Sequence, residues 1–214
     1  MKEKGIKITD RDMAIIFMIH KFRFCLGKHI KVLAGFNGLR ACDRRLKILL
    51  EAGYITRKKY LYGVPYLYTL THKGKIFIGE NKRLETIRID RIAHDISMIE
   101  VAIFYIKKYG LTLNEVISEK ELHSKSGFGT RKHAPDLVVK VQGGTYAIEI
   151  ELNPKEKARM QKNISNNFIN YNNQIWFTNN NKVKSLIEEF QKQYPNLNIV
   201  NLEGVRAIVA DYYK

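Results

Sequence analysis

Pro135-Asp136-Leu137-Val138-Val139-Lys140-Val141-Gln142-Gly143-Gly144-Thr145-Tyr146-Ala147-Ile148-Glu149-Ile150-Glu151 decides the reading of this 214-residue chain. Two runs of β-branched and aromatic residues flank a Gly-Gly pair. This predicts a β-hairpin closed by a tight two-residue turn, in which glycine supplies the positive φ. Such a turn sets Gln142 opposite Thr145, Val138 opposite Glu149 and Asp136 opposite Glu151, with opposed Cβ atoms about 5 Å apart. Because side chains alternate along a strand, Asp136, Glu149 and Glu151 share one face, and Tyr146, Ile148, Ile150 and Leu152 the other.

Like charges gathered on one patch of a sheet destabilise it. A hard divalent cation held by carboxylate oxygens, Mg²⁺ or Mn²⁺, reconciles them and can activate a water for attack on phosphate. The same alternation also fits the solvent-facing half of an amphipathic hairpin.

Composition narrows the classes. With 45% apolar residues the chain can bury real cores, and its length fits one or two compact units. A formal net charge of +16 implies a polyanionic partner, nucleic acid or an acidic membrane surface. No apolar run approaches the roughly 20 residues of a membrane span. Met1-Lys2-Glu3-Lys4 lacks a signal-peptide core. A soluble, cytoplasmic protein without a membrane partner is therefore expected. Cys25 and Cys42 lack Cys-x-x-Cys spacing and are expected to be reduced packing residues. Residues 1 to 83 carry 19 Lys/Arg against 6 Asp/Glu, a net of +13, whereas the remainder carries 18 against 15, a net of +3. The polyanion-binding module is expected in the N-terminal part.

In chain order, Thr9 reads as the N-cap of a first helix carrying Met13, Ile16, Phe17 and Ile19. A short helix through His29 to Ala34 ends at Gly35. A third, Leu39 to Ala52, is closed by Gly53. Cys42, Leu46 and Leu49 form its inward stripe, while Arg40, Arg44, Arg45 and Lys47 supply cations for a major groove. Tyr54 to Tyr62 and Tyr66 to Leu70 form a basic, tyrosine-rich hairpin around Gly63-Val64-Pro65. Its Arg57, Lys58 and Lys59 can lie along phosphates. Three helices and this hairpin make a winged helix-turn-helix, residues 1–83.

Glu80 to Arg88 is polar enough to link this module to a second, residues 84–214. A long helix follows from Ile89 to Tyr109, with Glu100 beside its isoleucine stripe, then a strand from Glu115 to Glu119 and a polar loop from His123 to His133. Lys125, Arg131, Lys132 and His133 of that loop could hold a DNA backbone near the acids. After the hairpin, Asn153-Pro154 reads as the start of a helix reaching Asn170 and carrying Lys155, Lys157 and Lys162. Gln174 to Thr178 is a strand, Lys182 to Tyr194 a helix, and Asn198 to Leu202 a strand. The asparagine excess between Asn163 and Asn181 reads as compositional bias.

The hairpin resembles the core of the PD-(D/E)XK nuclease superfamily, with Pro135-Asp136 as the first half of the motif and Glu149-Ile150-Glu151 as the second. Glu151 stands where that superfamily usually has lysine. The resemblance implies a mixed-sheet α/β, restriction-endonuclease-like domain whose Asp136, Glu149 and Glu151 bind Mg²⁺ or Mn²⁺. It also implies that Glu100 can reach the metal and that a helix lysine such as Lys155 replaces the strand lysine. Leu39-Arg40, Arg44-Arg45-Leu46, Leu49 to Ile55, Tyr68 to Thr71, Lys73-Gly74 and His94, taken with the acidic motifs, resemble the replication-relaxation family of plasmid and mobile-element proteins.

Two functions are expected from these features. One is a DNA-binding protein of replication, mobilisation or maintenance whose nuclease-like domain nicks DNA with a divalent metal. The other is a non-catalytic accessory protein whose degenerate nuclease domain docks a partner, as glutamate in place of lysine favours. The expected partners are double-stranded DNA, a replication or mobilisation protein, and a second copy of the chain. A tyrosine relaxase using Tyr212 or Tyr213 is the weaker, third reading, since no histidine cluster is present to hold its metal, and no Gly-x-x-x-x-Gly-Lys-Ser/Thr loop marks an ATP-driven motor.

Overall fold

A computed structural model describes residues 6–80, 83–125, 133–141 and 143–214 of a mixed α+β protein. The chain divides into two units, one running to Ile99 and including Tyr212–Lys214, the other spanning Glu100–Asp211.

In the first unit α1 (Asp10–Phe22) is fixed at its start by Thr9, whose Oγ1 accepts from the Asp12 N–H at 3.4 Å. Asp12 Oδ2 accepts in turn from the Thr9 N–H at 2.7 Å, so a capping box satisfies two otherwise orphaned donors. After β1 (Cys25–Leu26) come α2 (Gly27–Leu33), α3 (Leu39–Glu51), β2 (Ile55–Lys58), β3 (Leu67–Leu70) and α4 (His72–Phe77). Strand β3 is central and antiparallel to both neighbours. Ile15, Ile16 and Ile19 of α1 and Cys42, Leu46 and Leu49 of α3 are buried, so the inward stripe of α3 is the expected one. Gly53, at φ +73°, closes α3, and the Tyr54 N–H reaches back to Leu49 O at 3.0 Å. Gly74 is required for packing, since a Cβ there would sit 2.1 Å from the Tyr54 carbonyl oxygen.

The second unit takes the later turns of α5 (Ile92–Tyr109), then β4 (Val116–Ser118), α6 (Glu119–Lys125), β5 (Leu137–Val141), β6 (Gly144–Ile150), α7 (Lys157–Asn170), β7 (Asn173–Thr178), α8 (Asn181–Gln191), β8 (Leu197–Asn201) and α9 (Leu202–Tyr213). The sheet order is β4-β5-β6-β7-β8. Strands β4, β5 and β6 are antiparallel neighbours, and β6, β7 and β8 run parallel. Trp176 packs on one face with Met160 and Ile164 of α7 and Val183 and Ile187 of α8. Tyr105 of α5 meets Phe177, which the alternation of β7 points to the other face, at a ring-centroid distance of 6.3 Å. Both faces of the sheet are covered, so its acidic hairpin is not a solvent-facing one.

Several expectations need correction. The hairpin ladder closes on Val141 and Gly144, with Lys140 opposite Thr145 and Val138 opposite Ala147. Gln142, expected opposite Thr145, lies outside the described residues, as do Arg131 and Lys132. Gly144 belongs to the strand and only Gly143, at φ +79°, turns, which displaces the register by two residues. A shift of two preserves the face of every side chain. The division between units falls inside α5 at Ile99/Glu100 rather than in the polar stretch after residue 83, because Ile92 packs with Phe24, Leu26 and Leu67. Residues 119–125 are helical, so Glu119 leaves the expected strand and 123–125 leave the expected loop. Ser118 and Glu121 cap that helix, with the Ser118 N–H donating to Glu121 Oε2 at 2.8 Å. Helix α7 starts at Lys157, not at Asn153-Pro154, and the last helix, α9, was not anticipated.

The buried Asp12 carboxylate receives the Arg45 guanidinium as well as Thr9. Burial pushes its pKa up, but the Arg45 and Thr9 hydrogen bonds outweigh burial and hold it below the ordinary value. That stability is present above the unfolded-state pKa and is lost as pH falls through the folded one. Arg45→Ala should cost about 3 kcal/mol in denaturant unfolding at pH 7. The gap from wild type should narrow in acid, as pH falls through the lowered folded-state pKa of Asp12 and the carboxylate takes up its proton.

Candidate functional site

One step beyond Leu137 opposite Ile148, the hairpin register sets Asp136 beside Glu149. Both carboxylates are buried, with Asp136 8% and Glu149 5% exposed. Asp136 Oδ2 accepts the Ile150 N–H at 2.8 Å, bridging the start of β5 to the end of β6. Glu149 Oε1 accepts from Asn167 Nδ2 of α7 at 2.9 Å and lies 2.8 Å from His133 Nε2. Burial pushes the Glu149 carboxyl above its usual range and repulsion from Asp136 adds to this, while His133 and Asn167 oppose it. Tyr171, one turn beyond Asn167, is raised by burial and by the nearby Glu149 charge.

Glu151, the third expected acid, is buried just past the end of β6 and forms an ion pair with Lys155. Residues 152–156, which carry Lys155, are non-helical, and α7 begins after them at Lys157. Lys157 pairs with Glu189 of α8. Glu100 accepts from Arg206 Nε at 3.2 Å, so α5 and α9 are tied together through the acid expected at the metal. Among the described residues, no three His, Cys, Asp or Glu side chains are grouped so as to hold a metal ion.

Asn167 of α7 joins this cluster as well. It is 1% exposed, and its Oδ1, the atom not engaged with Glu149, has no hydrogen-bond partner. Its signal was a polar residue on the inward stripe Met160, Asn163, Ile164 and Asn167 of α7. The asparagine excess is in use elsewhere too: Asn172 Oδ1 accepts the Thr145 N–H at 2.9 Å, and Asn180 caps α8.

On the first unit, Arg40, Arg44 and Lys47 are exposed on α3, where Asp43 and Glu51 are exposed as well. Lys47 lies 3.7 Å from Glu51. Arg45, expected among the DNA-facing cations, is half-buried against Asp12 and donates to the Lys7 carbonyl at 3.1 Å. Its position next to the inward stripe turns it toward α1. Arg57, Lys58 and Lys59 are exposed on the hairpin. A groove of about 720 Å³ runs between α3 and the hairpin, lined by Leu46, Lys47, Leu50, Arg57 and Tyr68.

Comparison with family models, with curated proteins and with solved structures finds no match for this chain. Among the described residues no helix is long and apolar enough to cross a membrane.

A carboxyl raised by burial and by a second acid weakens the fold where it is ionised. Glu149→Gln should therefore raise the thermal unfolding midpoint at pH 7. The gain should fade as pH falls toward 4.5, because wild-type Glu149 then takes up its proton in the folded state. A gain independent of pH would mean that charge is not the cause.

Proposed function

We propose that this chain is a DNA-binding protein of a plasmid or mobile element, acting in its replication, mobilisation or maintenance. Its first unit is read as a winged helix docking on duplex DNA, and its second as a restriction-endonuclease-like domain that nicks DNA with Mg²⁺ or Mn²⁺. The observation that carries this reading is the buried Asp136–Glu149 pair where β5 begins and β6 ends. The order of a helix, an antiparallel three-stranded meander and a fourth strand parallel to the third supports it. On the first unit, the order α1, α2, α3, hairpin and the exposed cations of α3 and β2 support a groove-reading helix flanked by a phosphate-contacting wing.

The residues fit a hard cation in their chemistry. Asp136 and Glu149 supply carboxylate oxygens under mutual repulsion, and the buried Asn167 Oδ1 beside them has no partner. Asp136 and Glu149 would hold the ion, with Glu151 joining them on release from Lys155. Once bound, such an ion lowers the pKa of a water and neutralises charge developing on a phosphodiester. Asn167 and His133 orient Glu149, the Ile150 N–H fixes Asp136, and Lys155 would meet a phosphate oxygen only on parting from Glu151.

A second reading, a non-catalytic accessory protein whose second unit docks a replication or mobilisation protein, draws on one observation. Glu151 and Lys155 neutralise each other, and the described residues hold no three-acid cluster.

Incubating supercoiled plasmid with Mg²⁺ or Mn²⁺ and either wild type or an Asp136→Ala/Glu149→Ala variant tests the choice. Metal-dependent nicking by wild type, lost in the variant, is the expected result. Duplex binding without cleavage favours the accessory reading. Arg44→Ala should weaken duplex binding about tenfold and reduce the salt dependence by about one phosphate contact. Unchanged affinity across a salt titration would remove α3 as the groove-reading helix.

A further inference from the structure

The β2–β3 hairpin pairs each of its three consecutive cations with a tyrosine. Arg57 lies 5.0 Å from the Tyr66 ring centroid, Lys58 5.2 Å from Tyr60 and Lys59 5.6 Å from Tyr62. The loop carrying these rings is anchored on both sides. Tyr60, Leu61 and Val64 pack against Phe24, Leu26, Leu67 and Ile92, and Gly63, at φ +77°, makes the turn between the anchors. This fixed backbone projects Tyr62, which is 99% exposed, while Tyr66 is 48% exposed. A cation over one face of a ring leaves the opposite face open, and it stands within a side chain's reach of whatever stacks there.

We propose that the hairpin tip is a stacking site for unpaired nucleotides, with Tyr62 and Tyr66 taking bases and Arg57, Lys58 and Lys59 holding the adjoining phosphates. Alternating aromatic platforms and cations are what single-stranded nucleic acid requires, since every base has a π-face and every step a phosphate. Stacked bases in an intact duplex offer no face to Tyr62. The site therefore favours a fork, a bubble or a frayed end beside duplex held by α3. The proposal rests on the reading of the first unit as a DNA binder.

Fluorescence anisotropy with the full-length chain tests it, comparing a blunt duplex, the same duplex with unpaired arms, and single strands of DNA and RNA. Wild type should bind the forked duplex more tightly than the blunt one. Tyr62→Ala should remove about tenfold of affinity for the fork and for single strands of either sugar, and leave blunt-duplex affinity unchanged. Tyr62→Phe should behave as wild type. Equal binding of fork and blunt duplex by wild type overturns the proposal and leaves the exposed rings to a protein partner. A Tyr62→Ala loss shared equally by all four probes also overturns it. An Arg44→Ala variant read on the blunt duplex separates failure of the duplex-binding reading from failure of this one.

Discussion

Two carboxylates buried side by side are the constraint that the second unit is built around. Buried as they are, Asp136 and Glu149 are poorly screened by solvent, so each draws compensation from the protein. Asp136 finds it in the backbone N–H of Ile150, which also locks β5 to β6. Glu149 finds it in Asn167 and His133, which draw α7 and the segment before β5 onto the same point. The cost is only partly met, since the Glu149 carboxyl remains above its usual range and the Asn167 Oδ1 has no partner. A buried acid pair under repulsion and an unpartnered amide oxygen thus meet at one cluster, and it is on this combination that the proposed cation site rests.

Charge is managed differently on the first unit. Asp12 takes Arg45 out of the exposed set, whereas Arg44 and Lys47 remain exposed on α3 and Arg57, Lys58 and Lys59 on β2 and the loop after it. The difference lies in helix phase. Arg45 precedes the buried Leu46 and turns toward α1, while Arg44 and Lys47 point away from the inward stripe. Arg44 and Lys47 keep their charged heads in solvent on long stems, whereas a cation used to neutralise a buried acid is lost to the surface.

Much of this was legible in the sequence, and the failures have physical causes. The inward stripe Cys42, Leu46 and Leu49 and the Gly53 cap were readable because period and positive φ are local properties. So was the juxtaposition of Asp136 with Glu149, because a register shift of two leaves each side chain on its own face. The register itself was not readable, since two adjacent glycines can each occupy the turn and only the ladder decides between them. Helix α6 was hidden in its length of two turns, although the Ser118-x-x-Glu121 box announced it. The roles of Asn167 and Arg45 depend on partners 18 and 33 residues away, which no local pattern carries. The pairing of Lys155 with Glu151 was equally out of reach, because the sequence there reads as the start of a helix.

The central claim is that Asp136 and Glu149 converge to serve a cation. It is tested most directly by anomalous diffraction from a crystal of the full chain grown with Mn²⁺. An anomalous peak beside the Asp136 and Glu149 carboxylates is the predicted result. Manganese found only elsewhere, with the Glu149 contacts to His133 and Asn167 intact, would contradict it.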